Sequence, residues 1–114
     1  MSSPIVFLDI AGPDQVSLQT FYSTLFGWDA AAPNFTISVE APLSAAIRQD
    51  PAEKRLYVGV NDITAKLEEV EILGGSVDKS RFEVPGIVIL GLFKDPAGNA
   101  MGLVEMKDGA PKVP

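Results

Sequence analysis

The sequence predicts an α+β fold of two βαβββ modules, with the helices on one face of a curved sheet and the other face left to line a cleft. Three observations predict it. A short apolar run rich in β-branched residues, Ile5 to Ile10, is followed by an acidic cap and a helical pattern that ends in glycine. After a polar connection, "QDPAEK", the same order of elements returns, so the repeat is one of architecture and not of residues. Finally, 114 residues with 46% apolar and 21% charged side chains suit a single domain, residues 1–114, with its own core. Module one is expected at about 4–49 and module two at about 55–106.

Each element has a local cause. Ile5 to Ile10 has the length and branching of a strand, and Gly12-Pro13 breaks it. Asp14 can accept from free amides of a first helical turn. Leu18, Phe21, Tyr22, Leu25 and Phe26 then recur at helical spacing, and Gly27 closes the helix. Trp28 to Ala32 is expected as a short strand, with a turn at Pro33-Asn34. Phe35 to Glu40 alternates apolar and polar residues, the mark of a half-buried strand. Ser44 to Arg48 is the last strand of the first module.

In the second module Leu56 to Val60 is a strand and Asn61-Asp62 a cap. Ile63, Leu67, Val70 and Leu73 form an apolar helical face, and Gly74-Gly75 ends the helix. Ser76 to Phe82 is a strand, followed by a turn at Pro85-Gly86. Ile87 to Phe93 is apolar on both faces, so one side meets the helices and the other meets a cleft or a partner chain. Asn99 to Met106 is the last strand, and "KDGAPKVP" reads as a frayed end.

Composition removes whole classes of chemistry. The chain has no cysteine and no histidine, which excludes disulfides, thiolate zinc sites, cysteine nucleophiles and the commonest general base. A net charge of −6 argues against nucleic-acid binding. The N-terminus lacks the pattern of a signal peptide, and no apolar run is long enough to cross a bilayer, so a cytoplasmic protein with no membrane partner is expected.

"FYSTLFGW" (Phe21 to Trp28), "YVGVNDI" (Tyr57 to Ile63), "LGG" (Leu73 to Gly75) and "DPAGNAMGLVE" (Asp95 to Glu105) resemble the vicinal oxygen chelate superfamily, which includes glyoxalases, bleomycin-resistance proteins and extradiol dioxygenases. The resemblance covers residues 4–106 and implies a curved, mostly antiparallel sheet around a central cavity. It also implies metal ligands, typically histidine, glutamate or glutamine, on the first and last strands of each module. Carried over, those positions fall on Phe7, Ala46, Arg55 and Gly102, none of which is a ligand. No metal and no other cofactor is therefore expected. Glu105, three residues beyond Gly102, is turned to the opposite face by strand alternation.

The expected cleft residues are Phe7, Asp9, Trp28, Glu40, Arg48, Arg55 and Tyr57. Phe7 and Tyr57 can stack a flat ligand or simply fill a cavity. Arg48 and Arg55 can clamp a carboxylate or phosphate, or pair with Asp50 or Glu53. Trp28 either lines the cleft mouth or packs in the core. Glu40 is a general base, a partner for a ligand cation, or a polar residue on a wet edge strand. Asp9, flanked by Phe7, Leu8 and Ile10, is a candidate for a perturbed carboxyl. Asp95, Gly98 and Asn99 read as turn chemistry. The resemblance then implies a small-molecule-binding homodimer similar to the bleomycin-resistance branch and its antibiotic-resistance role. Its ligand is apolar or aromatic and can be cationic, held by binding rather than catalysis. The alternative is a glyoxalase-type lyase, isomerase or dioxygenase with an unusual all-oxygen metal site, for which Asp9 and Glu40 are the oxygen donors.

Overall fold

The computed structural model describes residues 3–26, 28–32, 34–37 and 43–114. Ten elements follow in order: β1 (Ile5–Gly12), α1 (Gln15–Phe26), β2 (Phe35–Ile37), β3 (Leu43–Gln49), β4 (Glu53–Val60), α2 (Ile63–Ile72), β5 (Ser76–Val84), β6 (Val88–Lys94), β7 (Ala100–Lys107) and β8 (Ala110–Pro111). The fold is α+β. The chain divides into two compact units, Val6–Arg55 and Leu56–Pro114 joined by Met1–Ile5.

In the unit Val6–Arg55, β3 lies between β2 and β1, antiparallel to β2 and parallel to β1. Parallel neighbours need a crossover, and α1 lies on it. Alternation sorts the side chains. Ile10, Phe35, Ile37, Ala45 and Ile47 are buried in a core to which Leu8 and the α1 residue Leu18 add. The opposite face carries Phe7, Asp9 and Ala11 of β1, in register with Ser44, Ala46 and Arg48 of β3. Asp14 caps α1 by accepting from the Ser17 amide at 3.0 Å. The side chains of Phe21, Tyr22, Leu25 and Phe26, and the expected helix stop at Gly27, lie outside the described residues.

Trp28 to Ala32 is not a strand. The chain turns at Ala30-Ala31, and the Ala30 amide donates to the Ser23 hydroxyl at 3.2 Å instead of to a ladder. Ala30 is completely buried there, so the segment is a plug and not a sheet edge.

In the second unit β7 is parallel to β4 and antiparallel to β6, and β6 is antiparallel to β5. Ile63 and Leu67 of α2 pack with Val60, Ile89 and Leu103, and Val58, Val77 and Phe93 join them. Asp62 caps α2 by accepting from the Ala65 amide at 3.0 Å. The helix stops as its glycines predict. Gly74 has φ 95°, which a side chain would strain, while the Gly74 amide donates to the Glu71 carbonyl and the Gly75 amide to that of Val70. As expected, the helix-facing side of β6 is Ile89 and Phe93. Val88, Leu90 and Leu92 are half-buried on the other.

The tail is not simply frayed. Ala110–Pro111 pairs with Met106 and Lys107, and the Lys112 amide donates to the Glu105 carbonyl at 2.8 Å. The "DPAGN" turn is held by Asp95. Its carboxylate accepts from the amides of Ala97 and Asn99 and from the Asn99 side chain, all at 2.8–2.9 Å. Those bonds, the Asn99 side chain foremost, hold the Asp95 carboxyl below its ordinary range.

Candidate functional site

In the unit Val6–Arg55, the sheet face turned away from α1 concentrates the chemistry. Asp9 is 3% exposed, and both of its carboxylate oxygens accept from Arg48 Nε, at 2.9 and 2.7 Å. Parallel register explains the contact, because β1 and β3 set Asp9 beside Ala46 and place Arg48 one pleat further on the same face. Burial raises the Asp9 carboxyl above its ordinary range, and the Arg48 hydrogen bond and charge oppose the rise without cancelling it. Arg48 also donates Nη1 to Asp50 at 2.8 Å, and its side chain is 41% exposed. Arg55 is buried and held by Glu53, to which Nε donates at 2.9 Å and Nη2 also donates. Both charges of this pair act on Asp9.

In the second unit, the face away from α2 carries Tyr57 over Gly102. The two residues are in register across β4 and β7. A Cβ built on Gly102 would stand 2.4 Å from the Tyr57 ring, so the ring occupies the space a side chain at 102 would need. Glu105 points the other way, as alternation requires. It is 7% exposed, accepts from Arg81 Nε at 2.9 Å and Nη2 at 2.8 Å, and lies 3.8 Å from the Lys112 ammonium. The Arg81 hydrogen bonds, then the charges of Arg81 and Lys112 and the Ile63 amide, hold its carboxyl below the ordinary range.

The expected site residues thus separate. Phe7, Asp9 and Arg48 share one face of their unit, with Arg55 and Glu53 acting on Asp9. Tyr57 stands on the face of Gly102. Trp28 is placed otherwise: it packs on the helix-side core, its ring 6.1 Å from that of Phe35. Glu40 lies outside the described residues. The Asp9–Arg48 pair and the Glu105–Arg81 pair were missed in the sequence. Their partners are 39 and 24 residues apart, and only strand register brings them together. A surface depression of about 540 Å³ beside the start of α2 contains none of the expected residues, and its Lys66 is already engaged with Glu69 at 3.3 Å.

The metal site that the resemblance implies does not fit these residues. At the last-strand position the Tyr57 ring fills the place of a ligand. At the second first-strand position a cationic guanidinium is buried against Glu53. Asp9, the carboxylate beside the first pair of positions among the described residues, already binds Arg48 through both oxygens. Among the described residues, no three acidic, histidine or cysteine side chains converge.

Comparison with known proteins agrees with this architecture. The glyoxalase-like domain model matches residues 5–104. The anthracycline biosynthesis protein DauV of Streptomyces sp. (strain C5) is 28% identical over 85% of this chain, a match that spans only 45% of that relative. The chain therefore covers about half the length of the curated relatives it matches. A Streptomyces coelicolor methylmalonyl-CoA epimerase variant in complex with 2-nitronate-propionyl-CoA superposes with TM-score 0.68 at 12% identity, over 98% of this chain and 100% of that one. A glyoxalase/bleomycin resistance protein/dioxygenase superfamily member from Vibrio splendidus 12B01 gives 0.65 at 12% identity, over 92% and 100%. With a family model spanning nearly all of its residues and its fold shared with these structures, the chain belongs to the glyoxalase-like domain family of the vicinal oxygen chelate superfamily.

Proposed function

We propose that this chain binds a flat, apolar or aromatic small molecule, cationic ones included, on a sheet face turned away from its helices, and does so without a metal ion. One observation carries the reading: Tyr57 fills the space over Gly102 where a metal-using relative would carry its last ligand. An aromatic ring in that place suits stacking, which is worth about 0.5–1.5 kcal/mol beyond area burial. Phe7 is the aromatic of the corresponding strand in the other unit. The surplus of acid, 15 carboxylates against 9 basic residues, favours a cationic ligand over an anionic one. The relative named for anthracycline biosynthesis points to the same ligand class, since an anthracycline is a flat polycyclic aromatic bearing an amino sugar.

The glyoxalase-type alternative needs a Lewis acid held by several converging oxygens. The engagement of Asp9 by Arg48 argues against it.

The test is a titration of the protein with doxorubicin, with and without chelator, followed by ligand fluorescence and by the melting temperature. Saturable binding, with a melting temperature that rises with ligand and ignores chelator, is the expected result. Binding that disappears with chelator and returns with a divalent ion, or no saturable binding at all, would overturn the proposal.

A further inference from the structure

Arg48 stands out among the charged side chains on the ligand-facing side of its unit. Asp9 is buried, and Arg55 is buried against Glu53. Arg48 is 41% exposed, and its guanidinium is fixed at two points, Nε on Asp9 and Nη1 on Asp50. Among the described residues nothing accepts from Nη2. A guanidinium held in one orientation, with a nitrogen bearing two N–H groups left over, is a preorganised donor.

Its surroundings decide what it can receive. The one positive charge of Arg48 faces two carboxylates, Asp9 at 2.7 Å and Asp50 at 2.8 Å, so the cluster as a whole is negative. A carboxylate or phosphate brought to Nη2 would meet that negative field. Of the two roles the sequence allows Arg48, pairing with Asp50 is the one seen, and clamping an anion does not suit this geometry. A neutral oxygen meets no such repulsion and still accepts from Nη2. We infer that Arg48 contacts the ligand through Nη2, and that the ligand is a ring system presenting an uncharged, carbonyl-type oxygen there and no anionic group. This rests on the proposed binding function and narrows its substrate class.

The test uses three probes of one bicyclic skeleton: menadione, a neutral naphthoquinone; 2-methylnaphthalene, which has no acceptor; and 2-naphthoate, which is anionic. Menadione alkylates thiols, but the chain has no cysteine to confuse the measurement. Dissociation constants are measured by equilibrium dialysis on wild-type protein, on Arg48→Lys, and on the double variant Asp9→Asn with Arg48→Met. The double variant removes the guanidinium without stranding a buried charge. Wild-type protein is expected to prefer menadione over both other probes by about fivefold or more, the worth of one net hydrogen bond. Both variants should lose that preference and keep their affinity for 2-methylnaphthalene. Equal affinity of wild-type protein for all three probes, a preference for 2-naphthoate, or a menadione preference that survives in both variants would overturn the inference while leaving the binding function standing. Failure of every probe to bind wild-type protein would overturn the inference, and failure of doxorubicin as well would overturn both.

Discussion

Gly102 shows how much one residue fixes. Its register with Tyr57 is set by β4 and β7, and its missing side chain is what lets the ring lie across the sheet. Replacing it with alanine puts a Cβ 2.4 Å from ring carbons, so the Tyr57 ring must leave its place over the sheet. Gly102→Ala is expected to lose about 1–3 kcal/mol, the ordinary range for overpacking. In a Tyr57→Ala background the same change should cost close to nothing, and urea unfolding of the four proteins of the cycle measures the difference. Equal loss in both backgrounds would mean that the ring is not what excludes the side chain. At this scale the sequence was legible in part. That Phe7, Ala46, Arg55 and Gly102, where the resemblance puts ligands, offer no metal-binding side chain is plain in it. That Tyr57 covers Gly102, and that Asp9 is held by Arg48, depends on which strands are neighbours and in what register.

Among the elements, Glu105 is the joint with the widest reach. It sits on β7, accepts from Arg81 of β5 and from the first amide of α2, and its carbonyl receives the tail at Lys112. Its carboxyl is held below the ordinary range, so between its folded and unfolded values it binds fewer protons folded than unfolded. The stability it supplies is therefore fully present above the ordinary glutamate value and is lost as pH falls through and below it. Glu105→Gln is expected to cost about 2 kcal/mol at pH 7, the worth of hydrogen bonds to a charged group. The gap between the two proteins should shrink as pH falls towards 3, and urea midpoints at several pH values read it directly. A gap that is unchanged at acid pH would show that the ionised pair is not its source. Asp95 is also held low, but it is common to both proteins and cancels in the comparison. Nearly every element was legible in the sequence, because caps, glycine stops and periodicity are local. The exceptions were decided by contacts across the chain. Ser23 takes the Ala30 amide and abolishes a strand, and Glu105 recruits a tail that on its own reads as frayed.

For the molecule as a whole, family membership gives the fold and leaves the assembly to be argued. β6 keeps Val88, Leu90 and Leu92 only half-buried on its face away from α2, and Ile87 beside it is 65% exposed. We propose that a second copy of the chain covers this apolar face, so a homodimer of about twice 12.1 kDa is the expected species. Its salt dependence follows from charge. Each copy carries −6, so the two repel at long range, and added salt shortens that repulsion to a Debye length of about 8 Å at 0.15 M. Buried apolar contact is not weakened by the same salt. Association is therefore expected to tighten between about 0.01 M and 0.15 M ionic strength, where the screening length falls from roughly 30 Å to 8 Å. Sedimentation equilibrium across a protein concentration series at both salts measures it. A single mass of 12.1 kDa throughout would rule the dimer out, and association that weakens with salt would show that ion pairs, not apolar faces, hold the copies together.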